Sequence, residues 1–248
     1  MTKTSKVPSR VYGHFDRTSS PQSLGEMCSE LISQQTQSWP EYRQACASLL
    51  DVKTRIIECE GYSVRLIFNP GRSENTSASV NPEDILKRPC FLCPANLPED
   101  QKAILHRNNF QILVNPRPIV PCHLTIAHMG HRPQAIAQNI AAFLEITADL
   151  GPGYVTLYNG PRCGASAPDH LHFQAVPSSE VRLDESINRM ENSFLPHSPF
   201  SGNDVCIMRG VGLGREVISI TSDQPGLIAD ALAFYMKNLD TGNRLPEM

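Results

Sequence analysis

The stretch Gly164–Val176, GASAPDHLHFQAV, decides how this chain is read. Its last seven residues, His170-Leu171-His172-Phe173-Gln174-Ala175-Val176, alternate polar and apolar. Successive side chains of a strand point to opposite faces. His170, His172 and Gln174 then share one face, while Leu171, Phe173 and Ala175 pack away on the other. Two imidazoles and an amide lined up this way can hold a metal, bind a phosphate or attack one. A His-x-His pair also occurs in strands where both rings are merely structural, so the spacing alone leaves both readings open.

Working outward, residues 159–169 form a Gly-rich loop before this strand, and Tyr154–Tyr158 reads as another strand. Ile136, Ile140, Phe143, Thr147 and Leu150 mark one face of a helix that Gly151-Pro152-Gly153 terminates. Phe110–Asn115 and His123–Ala127 read as strands separated by the Pro-rich turn Pro116-Arg117-Pro118. Further upstream, Leu24–Trp39 has helical spacing, Pro40 interrupts it and Glu41–Leu50 resumes. Arg55–Cys59 and the alternating Tyr62–Phe68 make a hairpin about Gly61. Downstream, the pattern predicts an amphipathic helix over Val181–Phe194 and strands Val205–Val211 and Glu216–Thr221. A last helix, Leu227–Lys237, would be N-capped by Asp223.

These elements divide the chain into a poorly ordered arm (residues 1–20), N-terminal helices and hairpin (21–89), a catalytic core (90–177) and a C-terminal extension (178–248). At 248 residues the chain is long enough to bury a full core. Its net charge of −3, with both signs spread along the chain, gives no basic stripe for a nucleic acid. No run of apolar residues reaches membrane-spanning length, and the N-terminus has no apolar signal-peptide core. The expectation is a cytoplasmic chain that binds a small molecule, with no nucleic-acid or membrane partner.

Eight cysteines without an export signal read as reduced thiols. Only Cys90 and Cys93 are closely paired, in Pro89-Cys90-Phe91-Leu92-Cys93-Pro94. A Cys-x-x-Cys knuckle with His131 and His170 meets the four-ligand count of a tetrahedral zinc site. The same spacing also fits a loop of buried thiols. His172 is the candidate nucleophile, because a neutral imidazole is available near pH 7 to attack phosphorus. Gly164, Ser166 and Gln174 are candidates to receive the phosphate oxygens. His14, His106, His123, His128 and His197 show no partner in the sequence and read as surface or satisfied core residues.

With these residues in view, the chain resembles the histidine-triad superfamily, in the branch of galactose-1-phosphate uridylyltransferase and the nucleotide phosphorylases. The triad signature, His-φ-His-φ-His-φ-φ with φ apolar, matches His170–Val176 with Gln174 in the third His place, the substitution that marks the transferase branch. His123-Leu124-Thr125-Ile126 with His131, and Cys90-Phe91-Leu92-Cys93, are similar to the branch's strand-plus-histidine and zinc knuckle. The resemblance implies an α+β fold: a curved, mainly antiparallel sheet with flanking helices. It implies that His172 becomes nucleotidylated, that Gln174 holds the phosphate, and that Cys90, Cys93, His131 and His170 bind zinc. Phe91, Leu92 and Asn115 fall where the family contacts base and ribose, and Asn159 and Ser166 fall near its phosphate loop. Arg72, in Phe68-Asn69-Pro70-Gly71-Arg72, is a further phosphate candidate.

The expected activity is transfer of a nucleoside monophosphate from a nucleotide sugar or dinucleoside polyphosphate, through the histidine, to phosphate or a sugar phosphate. A nucleotide hydrolase and a nucleotide-binding module without turnover are the competing readings. Family members usually carry a second half, whereas 74 residues follow Gln174 here, which implies a shortened chain. A homodimer is compatible with this reading.

Overall fold

The computed structural model describes residues 10–59, 62–70, 82–181, 194–196, 204–210 and 217–240. Its elements in chain order are β1 (Val11–Phe15), α1 (Leu24–Ser38), α2 (Pro40–Ala47), β2 (Lys53–Cys59), β3 (Tyr62–Phe68) and α3 (Pro82–Lys87). Then come β4 (Ala103–His106), β5 (Phe110–Val114), β6 (Leu124–His128), α4 (Ile140–Leu150), β7 (Tyr154–Leu157) and β8 (His172–Pro177). The chain continues through β9 (Phe194–Pro196), β10 (Cys206–Gly210), β11 (Val217–Thr221) and α5 (Pro225–Asp240). This is the α+β class the resemblance implies, with a mainly antiparallel sheet flanked by helices. No helix among the described residues is long and apolar enough to cross a membrane.

The chain divides into two compact units. The first, drawn from Met1–Lys53, Asn69–Ile136 and Ile146–Val181, contains a six-stranded sheet of order β1-β4-β5-β6-β8-β7. Only the β1/β4 pair is parallel. All five residues of β5 and all five of β6 are buried, as strands covered on both faces must be. Helix α1 packs against β1, β4 and β5 and buries Leu24, Cys28, Leu31 and Gln35. Ser23 and Glu26 close a reciprocal capping box at its N-terminus. The second unit contains the β2–β3 hairpin and a three-stranded sheet, β11-β10-β9. Ile207 of β10 packs there with Ala231 and Tyr235 of α5.

Several boundaries differ from the sequence reading. Val11–Phe15, placed in a poorly ordered arm, instead form β1, whose partner β4 lies about ninety residues away in the chain. β4 itself has no alternation to betray it. The helix expected from Ile136 begins at Ile140, where the Phe143 N–H bonds the Asn139 carbonyl. Phe194 belongs to strand β9, not to a helix, and the rest of the helix expected over 181–194 lies outside the described residues apart from Val181. The last helix starts at Pro225, and the Gln224 carbonyl accepts from the Leu227 and Ile228 N–H groups, so Asp223 is not its N-cap.

His106, which has no visible partner in the sequence, sits on β4 with its ring stacked on Phe15, and its Nε2 lies 2.8 Å from Asp149 Oδ2. Arg17 donates from Nε to the other oxygen of the same carboxylate. The Asp149 side chain is 1% exposed and Arg17 is 56% exposed. Asp149→Ala leaves a buried imidazole without its partner and should lower unfolding stability by about 3 kcal/mol. Arg17→Ala, at the solvated end of the same network, should cost under about 1 kcal/mol. Urea denaturation of the two variants measures the difference.

Candidate active site

β8 lies between β6 and β7, in registers that pair Ala127 with His172, Thr125 with Gln174, and Leu157 with Gln174. Leu171, Phe173 and Ala175 are completely buried on one face, and Phe173 stacks on Phe110 with centroids 5.5 Å apart. His172 and Gln174 point to the other face. The strand begins at His172, two residues later than the alternation predicts. His170 is in a turn, its N–H bonded to the Ala167 carbonyl, and its ring enters the Cys-x-x-Cys loop.

Cys90, Cys93, His131 and His170 converge, with one ligand atom from each lying within 4.8 Å of all the others. The Cys90 Sγ is 3.2 Å from His170 Nδ1, and the Cys93 Sγ is 3.4 Å from His131 Nδ1 and 3.6 Å from His170 Nδ1. Tetrahedral coordination with ordinary zinc–sulfur and zinc–nitrogen bonds puts neighbouring S and N atoms ~3.6 Å apart. The spacing therefore fits a metal. The tautomer fits too: His170 Nε2 donates to the His128 carbonyl at 2.7 Å, which leaves Nδ1 as a lone pair facing the thiols. Burial pushes the Cys90 thiol up to about 11, so its thiolate needs a nearby cation. The knuckle is closed by the Cys93 N–H on the Cys90 carbonyl and by Asn96 Nδ2 on the same carbonyl.

His172 is buried, and burial pushes its pKa below the usual histidine value, so the ring is neutral at pH 7. Its Nδ1 is 2.9 Å from the His170 carbonyl, which fixes the proton on Nδ1 and leaves Nε2 unprotonated. Among the described residues Nε2 has no hydrogen-bond partner. Gln174 is held equally firmly. His123 accepts from the Ile119 N–H at Nδ1, so its Nε2–H donates to Gln174 Oε1 at 2.8 Å. The Gln174 amide then presents its NH2 group as donor.

The other candidates are placed unequally. Phe91 is 37% exposed, with the Arg88 guanidinium 4.8 Å from its ring centroid. Leu92 is buried with Cys90, Ala127 and Ala167, and its carbonyl accepts from Gln111 Nε2. Its side chain is therefore core. Asn115 donates to Thr125 Oγ1, the β6 residue opposite Gln174, which ties it to the face that carries Gln174. Asn159 follows β7, and its carbonyl accepts from Gln134 Nε2. Gly164 has φ +89, a left-handed conformation that favours glycine, and Ser166 is exposed beside it. Arg72 lies outside the described residues.

Two residues at the site were not legible. His123 reads as unpartnered because the β6/β8 register that brings it to Gln174 is a tertiary fact. Gln134 has no motif around it, yet its Oε1 accepts from the His172 N–H at 2.7 Å. Only the pairing itself reveals either role.

With this geometry in place, the chain can be set beside known proteins. A family model described as a domain of unknown function, DUF4922, matches residues 31–177, more than half of the chain. The chain belongs to the DUF4922 family. No curated protein is significantly similar to it in sequence. Among solved structures it is similar to yeast Ap4A phosphorylase Apa2 in complex with AMP, at 13% identity over 88% of this chain and 73% of that chain, with a TM-score of 0.49. The same enzyme in complex with Ap4A aligns at 14% identity over 86% and 74%, with a TM-score of 0.48. The DUF4922 match spans the Cys-x-x-Cys loop, β6 and β8, so it includes every metal and phosphate candidate, Arg72 among them.

The convergence of four thiol and imidazole groups predicts about one tightly bound metal ion per DUF4922 chain. Metal analysis of purified protein checks it. Cys93→Ser should reduce the content to well below one equivalent, whereas Cys163→Ser, an exposed thiol outside the cluster, should leave it unchanged.

Proposed function

We propose that this DUF4922 chain is a nucleotidyltransferase of the phosphorylase and uridylyltransferase kind, with His172 as nucleophile. The observation that carries the reading is the bond from His172 Nδ1 to the His170 carbonyl, which aims a neutral Nε2, without a hydrogen-bond partner among the described residues, out of the strand. The donor is a nucleotide sugar or a dinucleoside polyphosphate, the class the motif resemblance implies. Nε2 attacks the α-phosphorus, a P–N bond forms and the P–O bond to the leaving group breaks. The bonding pair leaves on the departing phosphate oxygen. Positive charge developing on the ring strengthens the Nδ1–H bond to the His170 carbonyl. An oxygen of inorganic phosphate or of a sugar phosphate then attacks the same phosphorus, the P–N bond breaks and neutral His172 returns.

The Gln174 NH2 group, oriented by His123, donates to a non-bridging phosphate oxygen. Phe91 offers an exposed ring for the base, and Asn115, Asn159, Gly164, Ser166 and Arg72 are the remaining candidates for ribose and phosphate. Zinc is the proposed metal, since a Cys2His2 set matches its preference. It would be held by Cys90, Cys93, His131 and His170, and it would supply structure by tying the knuckle to the turn that leads into β8.

Incubation with donors labelled at the α-phosphate should leave an acid-labile, alkali-stable adduct that is absent in His172→Asn. No adduct with any common nucleotide or nucleotide sugar would refute the reading. Release of the nucleotidyl group should depend on added phosphate or sugar phosphate, and acceptor-independent release would instead mean hydrolysis. His123→Phe, which frees the Gln174 amide to rotate, should slow adduct formation about 10- to 100-fold, as measured by single-turnover quenching.

A further inference from the structure

We propose that Gln134 is a positioning residue whose side-chain amide is built into the sheet as a wedge between β8 and the chain that leaves β7. The proposal rests on the reading of His172 as nucleophile. The β7/β8 ladder runs Tyr154 opposite Pro177, Val155 opposite Val176, Thr156 opposite Ala175, and Leu157 opposite Gln174. Two residues further, the same register sets Asn159 opposite His172. Because the Leu171 carbonyl bonds towards β6, the main-chain groups of His172 face the β7 side. In an undisturbed antiparallel pair His172 would exchange both of its main-chain hydrogen bonds with Asn159.

That exchange does not occur, because β7 ends at Leu157 and the Gln134 side chain occupies the place. Its Oε1 accepts from the His172 N–H at 2.7 Å, and its Nε2 donates to the His172 carbonyl at 2.9 Å. The second N–H of the same group donates to the Asn159 carbonyl at 2.8 Å. A primary amide donates from nitrogen and accepts at oxygen, and main-chain N–H and C=O groups cannot exchange roles, so these partners fix the orientation of the amide. Gln134 is 2% exposed and is itself braced. Its N–H donates to the Pro168 carbonyl, and its carbonyl accepts from the Tyr158 hydroxyl at 3.0 Å.

The wedge has two consequences. Both main-chain groups of the nucleophile are satisfied without a strand beside it, so His172 keeps a fixed backbone at a sheet opening. The chain from Asn159 onward is also held one amide away from β8, so the Gly-rich loop diverges at the level of His172 instead of closing over it as ladder. A phosphate with its equatorial oxygens needs that gap. Without the amide, either the two strands close together or buried main-chain groups lose their partners. Both outcomes displace the imidazole, and a displacement of about 1 Å is worth about 100-fold in rate.

The test is Gln134→Met, which keeps the length and removes all three bonds, with Tyr158→Phe as a milder variant that removes one brace. In Gln134→Met, adduct formation should slow about 100-fold while metal content is retained and affinity for a non-transferable methylene analogue of the donor changes less than about 5-fold. Tyr158→Phe should slow it several-fold in the same pattern. Adduct formation at the parent rate in both variants overturns the proposal. Hydrogen exchange reads the wedge without chemistry: the His172 amide should be protected in the parent and exchange rapidly in Gln134→Met. Equal protection in both also overturns it. If the parent forms no adduct but protection is lost in Gln134→Met, the wedge stands and the nucleotidyl-transfer reading falls.

Discussion

The structure of the first unit depends on β8 being hydrogen-bonded on both edges, by β6 and by β7. A strand paired on both sides cannot rotate, so its alternation becomes a division between two faces. Leu171, Phe173 and Ala175 are removed from water on one face, and a one-residue slip would turn His172 and Gln174 onto that apolar face in their place. The hydrophobic face therefore sets the register, and the register sets the chemistry. Nothing about His172 as a residue type requires it to face a candidate phosphate site; the burial of its neighbours does.

Main-chain groups then assign a state to each polar side chain on or near that strand. The His128 carbonyl accepts from His170 Nε2–H and so turns Nδ1 to the thiols, and the His170 carbonyl accepts from His172 Nδ1–H and so frees Nε2. The Ile119 N–H occupies one nitrogen of His123, so the other donates to Gln174 and decides which end of that amide is free. Each step passes direction along the sheet without a charged group. The Asp169 carboxylate is bonded to Arg88 and lies 3.8 Å from His131 Nε2, on the side of that ring away from the thiols. Charge is thus kept at the rim, while tautomers are set by the neutral backbone.

The legible parts of the fold were those where local pattern and burial coincide. α1 carries its own capping box and an apolar stripe, and β3 alternates, so both could be read to within a residue or two. β5 and β6 are mostly apolar and buried at every position because both of their faces are covered. β1 and β4 carry no local strand signal, for a physical reason. β1 has Gly13 at its centre, where an added Cβ would come within 2.9 Å of Met27 Cε, and four-residue β4 is too short to show a period. Each is a strand because of the other, and because His106 is anchored by Asp149. Pairing between segments so far apart leaves no trace in either one.

The sequence by itself determined the alternation of β8, the Cys-x-x-Cys knuckle and the two histidines that complete the Cys2His2 cluster, because those features are local in chain or distinctive in spacing. Only the tertiary structure decided what completes the site. His123 acquires its partner through cross-strand register, and Gln134 enters the sheet where a strand would otherwise run. Leu92 turns inward to the core while Phe91 stays out. These assignments rest on which main-chain groups remain unpaired after the sheet has formed. That remainder is a property of the packed fold, so no residue pattern records it.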